Sequence, residues 1–112
     1  MKIKVSTDFA RAPGPRYTHE GHNSGQDFRK KILLPRLKDA MAKKEALEVD
    51  LDGTAGYGTS FLEESFGGLI REDGFNLRDL RNWLKLTSNE EPSLLMEIED
   101  YMSDAQDEKG GE

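Results

Sequence analysis

The residues best suited to chemistry fall in two loops of this 112-residue chain. In the first, Gly53-Thr54-Ala55-Gly56-Tyr57-Gly58 leads into Thr59 and Ser60, two hydroxyls at the head of an expected helix. A phosphate at a helix N-terminus is stabilised by the dipole and adds nearly two negative charges to the surface, so these hydroxyls are candidates for a regulated switch. Ser60 and Glu63 also have the spacing of a capping box, which predicts an N-cap role for Ser60. A serine nucleophile is not indicated, because the GxSxG elbow is missing. The second loop carries Arg11, Arg16, His19-Glu20-Gly21-His22 and Ser24. His19 and His22 with Glu20 are weak metal candidates; they fail the HExxH pattern, being three apart in a loop flanked by glycine. Near Arg11 and Arg16 the same imidazoles could help hold an anion. Gly21 to Gly25 run straight into a helix start, where free amides and the dipole favour negative charge. The Gly-Lys-Ser/Thr ending of a Walker loop is missing.

Several elements must position these loops. Residues 3–9 alternate Ile3, Val5, Thr7 and Phe9 against Lys4, Ser6 and Asp8, the period of a half-buried strand. Residues 10–25 hold two prolines and three glycines and read as a long loop, with a short extended piece at Arg16-Tyr17-Thr18. Ser24, with Asp27 three residues on, opens a helix. Its stripes Phe28-Ile32-Leu33 and Leu37-Ala40-Met41 lie roughly 110° out of phase, and Pro35 between them predicts a kink or break. Residues 46–52 bury Leu47, Val49 and Leu51 as a second strand. The helix from Ser60 buries Phe61, Leu62, Phe66, Leu69 and Ile70, and Gly67-Gly68 predicts close backbone approach to a sheet. Asn76–Leu84 is a short helix capped by Asn76/Asp79, and Lys85-Leu86-Thr87 is a short strand. Ser88–Pro92 starts a last helix whose Leu94, Leu95, Ile98, Tyr101, Met102 and Ala105 form an apolar stripe. The expectation is one α/β domain over residues 1–105, a mostly parallel or mixed sheet of three to five strands covered by helices, followed by a disordered acidic tail over 106–112.

Composition sets the outer bounds. Apolar residues make up 35% of the chain and charged ones 34%, enough for a modest single core and no more. No apolar run is long enough to span a membrane, and the N-terminus lacks the apolar stretch of a secretory signal. Without cysteine there is no disulfide framework and no thiolate zinc site, which fits a reduced cytoplasm. Residues 1–56 hold 11 bases against 8 acids, whereas 57–112 hold 5 against 14. Such a dipolar chain could dock by charge on a partner or on a copy of itself. The net charge of −6 disfavours nucleic acid, despite the basic stretch Arg29–Lys44.

The run Leu47-Glu48-Val49-Asp50-Leu51-Asp52-Gly53 followed by Gly58-Thr59-Ser60-Phe61-Leu62-Glu63-Glu64-Ser65-Phe66-Gly67-Gly68-Leu69 resembles the signature of the bacterial STAS-like domains of unknown function. Arg16 and Ser24-Gly25 are similar to that family's upstream pattern, and the likeness covers about residues 3–72, with Leu84–Tyr101 fitting as the closing helix. In the wider STAS domains of anti-sigma-factor antagonists, kinases phosphorylate an Asp-Ser-Ser-Gly turn. Here Gly58-Thr59-Ser60-Phe61 occupies its place, with Gly for the Asp and Phe for the Gly. The resemblance implies a regulatory protein-interaction module, not an enzyme and without a cofactor, that partners a GHKL-type ATPase, a kinase or another signalling protein. Its docking face would combine Tyr57, Gly58, Thr59 and Ser60, the exposed side of the next helix at Glu63 and Glu64, and the loop near Arg16 and Ser24. The alternative is a nucleotide- or anion-binding protein using the Arg16–Ser24 loop and the first helix N-terminus.

Overall fold

The computed structural model describes residues 1–110. Three strands, β1 (Lys2–Lys4), β2 (Leu47–Asp50) and β3 (Leu84–Thr87), form one parallel sheet in the order β1-β2-β3. The register sets Ile3 beside Val49 and Val49 beside Leu86. Ile3, Leu47, Val49 and Leu84 are buried on one face. The other face carries Lys2, Lys4, Glu48, Asp50, Lys85 and Thr87, all exposed or half-buried. This polar alternation leaves one sheet face to solvent, where Lys4 pairs with Asp50 at 3.3 Å.

The strand expected over residues 3–9 stops at Lys4. Helix α1 (Val5–Asp8) is a single turn in which Phe9 and Ala10 both donate their amides to Val5 O, and Asp8 accepts from Lys4 N at 2.8 Å. A strand ending at Lys4 and a one-turn helix after it bury Ile3 and Val5 as well as one longer strand would, so the alternation could not distinguish them.

Helix α2 runs without a break through Gly25–Asp27, Phe28–Leu33 and Leu34–Ala42. Its middle segment is a π turn in which Leu34 N reaches back five residues to Arg29 O. One extra residue in a turn retards the helical phase by roughly 100°, which nearly cancels the offset between the two apolar stripes. Phe28, Leu33, Leu37 and Ala40 are therefore all fully buried together. Pro35 produces no break, because the widened turn before it gives its ring room.

Helix α3 is built the same way, from Thr59–Leu62, a π turn at Glu63–Gly67, and Gly68–Arg71. It is the central helix, buried almost continuously from Phe61 to Ile70. Its π turn packs against that of α2 on one flank and against helix α5 (Ser93–Lys109) on the other. Helix α4 (Leu77–Trp83), capped by Asn76 Oδ1 on Asp79 N at 2.8 Å, feeds directly into β3. The tail expected from residue 106 is instead the last turn of α5: Gln106 is buried and accepts from Leu77 N at 2.8 Å, and Gly110 ends the helix in the left-handed conformation. Residues 111 and 112 of that expected tail lie outside the described residues.

Candidate functional site

The turn after β2 is anchored at both ends. Asp52 accepts from Asn89 N at 2.9 Å, Glu90 N at 3.0 Å and Ser88 Oγ at 3.2 Å, while Glu90 accepts from Gly53 N at 2.9 Å. These bonds lock the carboxyl ends of β2 and β3 together. The amides of Glu90 and Asn89 hold the Asp52 carboxyl below its ordinary range. Tyr57 folds back so that its hydroxyl donates to Leu51 O at 2.7 Å and its ring tilts against Phe61. Burial pushes the Tyr57 phenol up to about 12, so it stays neutral and serves as a strut.

From this platform α3 starts two residues earlier than the sequence suggests. Gly58 is the N-cap, in extended conformation (φ −77°, ψ 152°), and no side chain caps the helix. Ser60 therefore lies inside the first turn and is not a cap, which corrects the capping-box reading; Glu63, its expected box partner, is bound elsewhere. Among the described residues, the amides of Thr59, Ser60 and Phe61 find no acceptor. Gly58, Thr59 and Ser60 are exposed. The result is a bare helix N-terminus bearing two hydroxyls at the carboxyl end of a parallel sheet, the place where open α/β sheets present their binding loops.

Glu63 and Glu64 do not form an exposed acidic side. Glu63 accepts from Arg16 Nη1 and from Arg71 at 2.7 and 3.1 Å. Glu64 is buried, accepting from Arg29 Nη2 at 2.9 Å and Arg71 Nη2 at 3.4 Å, and Arg29 reaches on to Asp73 at 2.8 Å. Three guanidinium groups thus neutralise three carboxylates across α2, α3 and the Arg16 loop. Burial pushes the Glu63 carboxyl up, but the hydrogen bonds from Arg71 and Arg16 outweigh it and hold it below its usual value. Arg29 Nε is buried without a partner. A Cβ at Gly68 would stand 2.5 Å from it, and one at Gly67 would stand 2.5 Å from Glu63 Oε2. The glycine pair thus admits the side chains of Arg29 and Glu63, not a sheet as expected. Arg29, Arg71 and Asp73 escaped the sequence reading; the pointer was Gly67-Gly68 within an otherwise apolar helix.

The Arg16–Ser24 loop is closed around its helix. Ser24 is fully buried, and its Oγ accepts from Asp27 N at 3.0 Å. Gly25 N donates to Pro15 O at 2.8 Å and Gln26 N to Arg16 O at 2.9 Å. Every first-turn amide of α2 is therefore occupied, and Arg16 points at Glu63, so the expected anion site at this terminus has no free donors. Tyr17 is extended, as expected, and Thr18–Glu20 make one tight turn. His19 stacks on Tyr17, and His19 and His22 line an open recess of about 530 Å³ with Phe9, Asn23 and Lys31. Among the described residues, no group of three His, Asp or Glu side chains is arranged to hold a metal ion, and no helix is long and apolar enough to cross a membrane.

Residues 24–94 match the family model of a STAS-like domain of unknown function. No curated protein and no solved structure matches the chain.

Proposed function

The chain belongs to the STAS-like domain family of unknown function, and we propose that it acts there as a regulatory protein-interaction module that docks on a signalling partner through the N-terminus of α3. The observation that carries this reading is the bare, exposed first turn of α3, with Thr59 and Ser60 on it and three amides without acceptors. A partner that offers a carboxylate or carbonyl oxygens to this turn gains the hydrogen bonds and the dipole together. A phosphate on Ser60 or Thr59 would occupy the same amides and place about two negative charges on the contact, so modification and docking exclude each other. On this reading the hydroxyls of Thr59 and Ser60 are acted upon rather than acting, and the module is not itself an enzyme. A GHKL-type ATPase or kinase meets both needs as partner, by binding the turn and by supplying the phosphoryl group.

The test is the affinity of wild type, Ser60→Ala and Ser60→Asp for the GHKL-type ATPase or kinase that a pull-down on the immobilised chain recovers from native lysate, with melting curves alongside. Recovery of general chaperones alone would overturn the reading. The Asp variant should stay folded and bind roughly tenfold or more weakly, since a charge added to a docking surface costs on that scale. The Ala variant should bind within about twofold of wild type. Equal affinities for wild type and Asp would remove Ser60 from the interface.

A further inference from the structure

We propose that copies of this chain associate head to tail, the basic outer face of α2 in one copy resting on the acidic outer face of α5 in the next. The idea is independent of the α3 docking role and uses neither Thr59 nor Ser60. Helix α3 separates the two faces. Its Phe61–Ser65 side takes α2, with Ser65 Oγ donating to Phe61 O and to Gly25 O, while Gly67 lies against Tyr101 of α5. The exposed sides of α2 and α5 therefore lie on opposite flanks of the helical layer.

The two faces are complementary in charge and alike in layout. On α2, Lys30 and Lys38 are exposed and form no ion pair among the described residues, and half-buried Leu34 and exposed Pro35 lie between them. The π turn brings Lys30, Leu34 and Lys38 onto one line. On α5, Met96 is 72% exposed, and Asp100 and Asp107 follow it on one stripe at i+4 and i+11, again without an ion pair among the described residues. Each face thus has an apolar spot beside unpaired charges of one sign. A two-fold pairing of either face with itself would oppose like charges, whereas α2 on α5 opposes unlike ones. Such a heterologous contact leaves one basic and one acidic face free, so assembly continues past two copies unless a ring closes.

Sedimentation of the purified chain tests this. The mean mass of wild type should rise with concentration beyond that of a dimer at about 20 mM NaCl and fall toward monomer at about 500 mM, where the screening length drops from about 20 Å to about 4 Å. Lys30→Glu with Lys38→Glu should weaken association roughly tenfold or more, and so should Asp100→Lys with Asp107→Lys. An equimolar mixture of the two double variants should associate again, because every α2–α5 contact between them pairs opposite charges. Melting curves confirm that each variant is folded, as expected for changes at exposed positions. A wild type that stays monomeric up to about 1 mM at low salt would overturn the proposal. So would a reversed variant that assembles like wild type, or a mixture that does not recover.

Discussion

Two helix N-termini in this protein carry the same sequence signal and have opposite fates. Ser24-Gly25-Gln26-Asp27 opens α2 and Ser60-Phe61-Leu62-Glu63 lies at the start of α3, each a serine followed by an acid three residues on. The first is sealed: its serine is buried and its amides are taken by Ser24, Pro15 and Arg16. The second is open, because Gly58 has already taken the extended cap position and left Ser60 two residues too deep. A capping motif becomes a cap only where the preceding chain brings the residue to the boundary in extended conformation. The sealed terminus belongs to the architecture, and the open one is available for binding.

The sharpest break of this contrast comes from the glycine beside each boundary. A Cβ at Gly25 would meet Phe61 O at 2.6 Å and Phe61 Cα at 3.1 Å, both backbone atoms, so Gly25→Ala should cost about 2–3 kcal/mol in denaturant unfolding. Ser24→Ala leaves the half-buried Asp27 N unsatisfied and should cost about 1–2 kcal/mol by the same measurement. At the open terminus the sign reverses. Nothing lies within 4 Å of a Cβ at Gly58, and Gly58→Ser supplies the missing cap, so it should stabilise by about 0.5–1 kcal/mol while weakening the proposed partner. Ser60→Ala should shift stability by less than about 0.5 kcal/mol, where a true cap would lose about 1.

The smallest effect at neutral pH concerns the platform under the open turn. The folded Asp52 carboxyl titrates below its ordinary value, so its contribution is present above about pH 4 and is lost as the pH falls through the lowered folded value. Asp52→Asn should lower the melting temperature at pH 7 slightly and flatten the loss of stability below pH 4, so that the two proteins converge in acid. An unchanged acid limb would remove Asp52 from the platform.

The periodic elements were legible because each buries a regular stripe: Leu47 and Val49 in β2, Leu80 beside half-buried Leu77 in α4, Leu94, Ile98, Met102 and Ala105 in α5. Asn76 was legible as a cap because it precedes its helix directly. What escaped lies where a period fails or a partner is remote. The phase jump between Leu33 and Leu37 was visible, but Pro35 offered a kink as the nearer explanation than a π turn. Arg29 meets Glu64 and Asp73 across 35 and 44 residues, and nothing local to any of the three specifies the pairing. Of the site, the hydroxyls and Arg16 were legible as residues. Their arrangement was not, because it depends on which carboxylates the arginines reach first.

The order β1-β2-β3 in space repeats the order in the chain. During synthesis each strand therefore adds to an edge that already exists, and none has to wedge between two others. Each shorter sheet is a subset of the finished one, so a nascent chain can add structure as it emerges without undoing any. Helix α5 follows all three strands in the chain, and before it docks the Gly67 side of α3 has no cover. A chain whose sheet has formed but whose α5 has not yet docked shows that apolar flank, making this the interval of folding in which a chaperone has most to hold.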